Sequence, residues 1–154
     1  MTNLFKKRIA SIIFTILLTL EIFFFSSLSG PPGAKFPMIS IAYHFIVFFL
    51  LAFFLLASIN GKGKIKLKYL IIATIISVLY AFSDEFHQSF VPGRDAGIKD
   101  ILTDSAGIFS SILTYSYINK KSTNKNPPHI ISFSSRKKMK MNMPNNLPGN
   151  FPII

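Results

Sequence analysis

Two short runs near the middle of the chain carry most of its chemistry. The first is Asp84-Glu-Phe-His-Gln-Ser-Phe-Val-Pro-Gly-Arg94 and the second is Asp100-Ile-Leu-Thr-Asp-Ser-Ala-Gly107. Together they gather four of the six acidic residues with a His, a Gln and an Arg, between two apolar segments. Side chains of these types can hold a polar headgroup, move a proton or bind a metal ion. On a helix, residues three and four apart share a face. Asp84, His87 and Gln88 are therefore expected to point together, with Glu85 beside Gln88 on the adjoining face. Asp100 and Asp104 form a second pair four apart. Gly107 continues their face one turn deeper, where a missing side chain lets another helix approach closely. Arg94 is the natural countercharge, and its planar guanidinium also suits a phosphate or carboxylate.

Two further polar residues lie inside apolar segments. His44 is about two turns into the second segment, and Glu21 about two turns from the end of the first. With alternating helix directions both reach the depth of Asp104, which implies a polar pocket open at one end of a bundle. Glu21 reads better as an interfacial carboxylate than as a catalytic one. His44 serves equally well as a helix-to-helix hydrogen bond or as a site residue. Asp104 is harder to explain without a site, because a carboxylate two turns into an apolar helix needs a partner or must lose its charge. The acid–base candidates are Glu85, His87 and Asp104. Ser83, Ser89 and Ser105 are nearby, but nothing singles out a nucleophile. Glu85, His87, Asp100 and Asp104 are competent metal ligands. No spacing such as His-Glu-x-x-His occurs, however, so no metal is expected, and no cofactor either.

These residues need elements to position them, and the composition says which. Half the residues are apolar and 17 are Phe, more than a soluble domain of this length can hide. There is no Cys, which excludes disulfides, thiolate metal sites and a thiol nucleophile. Apolar segments cover residues 9–28, 38–59, 69–90 and 98–118. About 20 helical residues cross a bilayer core, so each can span one. The expected fold is all-α, an integral membrane bundle of four transmembrane helices over residues 9–118. A basic stretch, residues 1–8, precedes it, and a basic tail, residues 119–154, follows without helical periodicity and is expected to be disordered. Pro-Gly chemistry at Gly30-Pro-Pro-Gly33 and Pro92-Gly93 marks the turns.

The net charge of +11 would suit nucleic acid, but its placement argues for topology instead. Of the 17 basic residues, 14 fall in residues 6–8, the 61–68 connection and the tail, all on one side of the bundle. The positive-inside rule puts that side, and both termini, in the cytoplasm. The acidic cluster then faces outward from a multi-pass plasma-membrane protein. Its partner is membrane lipid and not nucleic acid, and the basic tail suits anionic headgroups.

Asp84-Glu-Phe-His-Gln-Ser-Phe-Val-Pro-Gly-Arg94, followed by Asp100-x-x-x-Asp104-x-x-Gly107, resembles the signature of VanZ-like membrane proteins. Ser26-Ser27 after the first span, and His44-Phe45 with Phe48 in the second, extend the resemblance over residues 9–118. The chain departs from the pattern at Ile41, where a basic residue is common, at Asp104, where many members carry Asn, and near Ser111, where Gly is frequent. The resemblance implies a small four-helix membrane domain, and its named member is associated with low-level teicoplanin resistance. The leading expectation is an outward pocket for a polar or anionic envelope molecule, such as a lipid-linked phosphate or glycan headgroup. Its ligand-binding residues would be His44, Glu85, Gln88, Arg94, Asp100 and Asp104, with Lys99 adding positive charge. The alternatives are a membrane enzyme using Glu85, His87 or Asp104 as acid or base on a lipid-linked substrate, and a helper subunit whose polar cluster only locks helices together.

Overall fold

The computed structural model describes residues 2–29, 37–60, 65–94 and 97–125. Residues 30–36 with their Pro-Pro turn, Lys62 and Lys64, Asp95, and the tail beyond Lys125 lie outside the described residues. Four helices follow one another: α1 Thr2–Ser26, α2 Pro37–Ile59, α3 Leu67–Gln88 and α4 Ile98–Lys125. The chain is all-helical across the described residues, with helix limits close to those read from hydropathy. The exceptions are α1, which begins at Thr2 and takes in the basic residues before Ile9, and α4, which runs past Ile118 to Lys125.

Three stretches, Phe5–Ser26, Met38–Ile59 and Leu67–Gln88, are long and apolar enough to cross a membrane. Each has 22 residues, about 33 Å of helix at ~1.5 Å per residue, against a hydrocarbon core of about 30 Å. The fourth helix is long enough but more polar. Lys99, Asp100 and Asp104 sit in its first two turns, and Ser110, Ser111, Thr114 and Ser116 follow.

The helices alternate in direction, and α2 touches all three others, most extensively α4. Among the described residues α1 and α4 do not meet. Ile22, Val47, Phe48, Leu51, Ala52, Ala81 and Ile108 form the apolar core. Large apolar side chains also cover the outside: Ile13, Leu17, Leu20 and Phe24 on α1, Ile72, Ile75 and Leu79 on α3, Phe109 and Leu113 on α4. A soluble protein would bury these groups, whereas hydrocarbon is a good solvent for them. The polar groups are inside instead, with Ser26, His44, Ser77, Asp84, Glu85, Gln88, Asp104 and Ser111 all buried.

Small residues let the backbones close on one another. On α3, Ala73, Ser77 and Ala81 recur every four residues and are fully buried. On α4, a Cβ added at Gly107 would collide with the carbonyl of Phe45 and stand 3.2 Å from the amide nitrogen of Phe49. The close approach expected at Gly107 is thus present, and its partner is α2. At the opposite end, Arg8 Nε donates to the Ser58 carbonyl at 2.9 Å and ties the start of α1 to the end of α2.

Candidate functional site

The buried acidic residues collect where α1 and α3 end and α2 and α4 begin. They form two separate networks. In the first, Ser26 at the end of α1 donates its hydroxyl to Asp84 Oδ1. Gln88 Nε2, one turn along α3, donates to Asp84 Oδ2 at 2.8 Å and lies 3.3 Å from Ser26 Oγ. Both carboxylate oxygens of Asp84 therefore have donors. Asp84 and Gln88 point together as the spacing predicts, because they continue the small-residue stripe of α3 into the bundle.

The second network joins α2, α3 and α4. His44 Nδ1 donates to Asp104 Oδ1 at 3.0 Å, with both side chains buried. Stacking on Phe48 (rings 6.4 Å apart, 8° from parallel) and an edge contact with Tyr43 fix the imidazole. Glu85 turns toward this pair while its Oε2 accepts the Gly97 N–H at 2.8 Å, just ahead of α4. Carboxylates suit that position, since the first amides of a helix lack partners. Two oxygens remain unsatisfied: Glu85 Oε1 and Asp104 Oδ2 are buried without a hydrogen-bond partner. One ligand atom from each of His44, Glu85 and Asp104 lies within 4.8 Å of the others. Asp100, one turn nearer the start of α4, is half-buried.

Other candidates are placed elsewhere. His87 faces the end of α1, where it stacks on Phe23 at 4.9 Å and lies 3.0 Å from Ser27 Oγ. Ser27 gives its own proton to the Phe23 carbonyl at 2.7 Å, so the pair is not arranged as nucleophile and base. Among the described residues Ser83, Ser89 and Ser105 make no bond to a histidine, and Ser89 donates to the Phe86 carbonyl at 2.6 Å. His87 lines one cavity with Asp84, Phe23 and Tyr80 but takes no part in the Asp84–Gln88 hydrogen bonds.

Arg94 forms no ion pair among the described residues, contrary to its expected pairing with a carboxylate. Its Nε donates to the Leu28 carbonyl at 3.1 Å and its Nη2 to the Phe25 carbonyl. These carbonyls belong to the last turn of α1 and the residues after it. There unsatisfied acceptors and the helix dipole both favour a cation. The Pro92-Gly93 turn, with Gly93 at φ 79°, brings Arg94 to that position. A positive φ strains any side chain, which is why Gly stands there.

Two tyrosines that no sequence spacing marks also serve this end of the bundle. Tyr43 donates its hydroxyl to Glu21 Oε1 at 3.0 Å, giving the isolated carboxylate of α1 a partner. Tyr80 donates to the Thr19 carbonyl at 2.7 Å. The only sequence signal for Tyr43 is its position beside His44, and Tyr80 has none.

Four antiparallel helices, apolar outside and acidic within at one end, define a small helical membrane protein with a buried polar site. The family profile of VanZ/LLP1 matches residues 1–119, and the chain belongs to that family. No curated protein and no solved structure matches it.

Proposed function

We propose that this VanZ-family membrane protein receives the headgroup of a lipid-linked envelope molecule at its acidic end, which faces outward. The observation that carries the reading is the open network, in which Glu85 Oε1 and Asp104 Oδ2 are buried beside His44 without donors. Stranding a buried acceptor costs about 1–3 kcal/mol, more when it is charged, and such a cost is retained where a ligand relieves it. Glycan hydroxyls are donors of the right kind. Lys99, exposed in the first turn of α4, supplies positive charge for a phosphate. An apolar groove between α2 and α4, lined by Ile41, Ala42, Phe45, Leu102, Thr103 and Ala106 and by none of the three cluster residues, suits the hydrocarbon chain of such a molecule. Ile41 keeps that groove uncharged.

In this reading α4 is a fourth span, with Asp104 sheltered against α2 and Leu102, Phe109 and Leu113 toward lipid. The plasma membrane, both termini in the cytoplasm and a modest gain in teicoplanin tolerance on expression belong to the same proposal. A second reading, acid–base catalysis on the bound headgroup, is favoured by the His44–Asp104 pair, since a carboxylate that orients an imidazole is part of many proton relays.

Mass spectrometry of lipids that co-purify with the protein in mild detergent tests the proposal. A lipid-linked glycan or phosphate should accompany the wild type and be lost from Glu85→Gln, and a chemically altered headgroup would favour catalysis. Identical bulk lipids in both preparations would refute headgroup binding. Because the chain lacks Cys, single cysteines at Lys66 and Ser89 report orientation without background. Only Ser89→Cys should react with an impermeant thiol reagent in intact cells, and labelling of Lys66→Cys would reverse the topology.

A further inference from the structure

We propose that His44, Glu85 and Asp104 form a binding site for one divalent transition-metal ion of the zinc or manganese type. The three ligand atoms come from α2, α3 and α4 and lie within 4.8 Å of one another. Each residue is 5% exposed or less. Two carboxylates this close, each with a buried oxygen that nothing in the protein satisfies, repel one another unless one takes up a proton or a cation sits between them. One divalent ion would neutralise both and complete both coordination demands together. The imidazole decides the class of metal, since nitrogen with carboxylate oxygen favours zinc or manganese over the all-oxygen cages of calcium and magnesium.

The distances fit a site before loading. Bonds of about 2.0–2.2 Å in tetrahedral arrangement put ligand atoms about 3.3–3.6 Å apart. The His44–Asp104 separation of 3.0 Å is already near this, so the ion would replace the hydrogen in that bond. Loading would then draw Glu85 inward. The Gly97 N–H on Glu85 Oε2 is the sort of outer contact that holds a ligating carboxylate in position. Three protein ligands leave a fourth position for water or an oxygen of an incoming molecule.

The inference concerns the same cluster as the proposed headgroup site but does not need a headgroup to be bound. Its test is metal titration of purified full-length protein after chelation, with Zn²⁺ and Mn²⁺ as probes and Mg²⁺ for comparison. Melting temperature and bound metal per chain are the readouts. One equivalent of Zn²⁺ or Mn²⁺ should bind and raise the melting temperature, with Mg²⁺ far weaker. Glu85→Gln and the isosteric Asp104→Asn should each weaken binding about tenfold or more, by analogy with the losses seen at supporting positions. His87→Gln, which removes a histidine outside the cluster, should leave binding intact. Co²⁺ reports directly on the ligands, because its visible absorption bands should change in His44→Gln even if that variant is less stable.

Absence of binding to folded wild-type protein would overturn the inference, as would equal binding by Glu85→Gln and Asp104→Asn. A lipid headgroup retained by protein that takes up neither Zn²⁺ nor Mn²⁺ would overturn it while leaving the headgroup reading in place. One equivalent of metal on wild-type protein from which no lipid-linked headgroup ever co-purifies would support it and refute the headgroup reading.

Discussion

The Ser26–Asp84–Gln88 network and the His44–Glu85–Asp104 network lie at the same end of the same bundle and use similar side chains, yet only one is closed. In the first, every oxygen of the central carboxylate meets a donor from within the protein. In the second, one oxygen of each of two carboxylates is buried near an imidazole with nothing to satisfy it. Arg94 reinforces the closed side by gripping carbonyls on either side of Ser26. Gly107 seats the open side by bringing α4 onto α2 close to His44. A buried polar group can therefore lock helices together or wait for a ligand, and satisfaction separates the two roles better than residue type does.

The largest effect should come from Gly107→Ala. Its methyl group meets α2 backbone, which cannot rotate aside, so α2 and α4 must separate at a cost of about 3 kcal/mol. Thermal unfolding in detergent should show that loss, and ligand retention should fall because Asp104 leaves His44. Near-wild-type stability would mean that the helix contact does not seat the open network.

Asp84→Ala attacks the closed side and should rank next. Ser26 and Gln88 stay buried without their acceptor, a loss of about 2 kcal/mol that the same melting experiment reads. Double variants sharpen the contrast. Asp84→Ala should couple with Ser26→Ala and add independently to Glu85→Gln. Strong coupling to Glu85→Gln would merge the two networks into one.

Arg94→Lys should be milder still. An ammonium keeps the charge but cannot fork onto two carbonyls, and the site is partly exposed, so about 1 kcal/mol or less is at stake. Headgroup retention should be unchanged. A clear loss of retention at wild-type stability would place Arg94 in the ligand site and not in the clamp.

The sequence revealed the helices and the end at which the site lies, but not how the polar groups are shared between the networks. Runs of Phe, Ile and Leu set helix limits because length and apolarity are local properties. The first turns of α1 from Thr2 and the last turns of α4 to Lys125 are not legible there, because both are polar or basic and carry no apolar stripe. Grouping His87 with Asp84 and Gln88 rested on spacing alone, which gives neighbours on a helix but not which neighbours face inward. The stripe Ala73, Ser77 and Ala81 was the missing signal. It leads to Asp84, Glu85 and Gln88 and leaves His87 at the edge. The carbonyl partners of Arg94 were not legible because a backbone acceptor leaves no mark in residue type. The His44–Glu85–Asp104 cluster draws on three helices, so no sequence spacing could announce it.

Glu85→Gln has the smallest expected effect on folding and bears most directly on the central claim. The amide introduced by Glu85→Gln keeps an oxygen for the Gly97 N–H and removes a buried charge whose other oxygen has no donor, so the melting temperature of ligand-free protein should be unchanged or slightly higher. The same variant should no longer retain the lipid-linked headgroup that accompanies the wild type. Melting temperature and co-purifying lipid, measured on one preparation of each protein, settle the matter together. Wild-type stability with the headgroup gone is the result expected of a ligand site, whereas a lowered melting temperature with the headgroup still bound would make this network one more lock between helices.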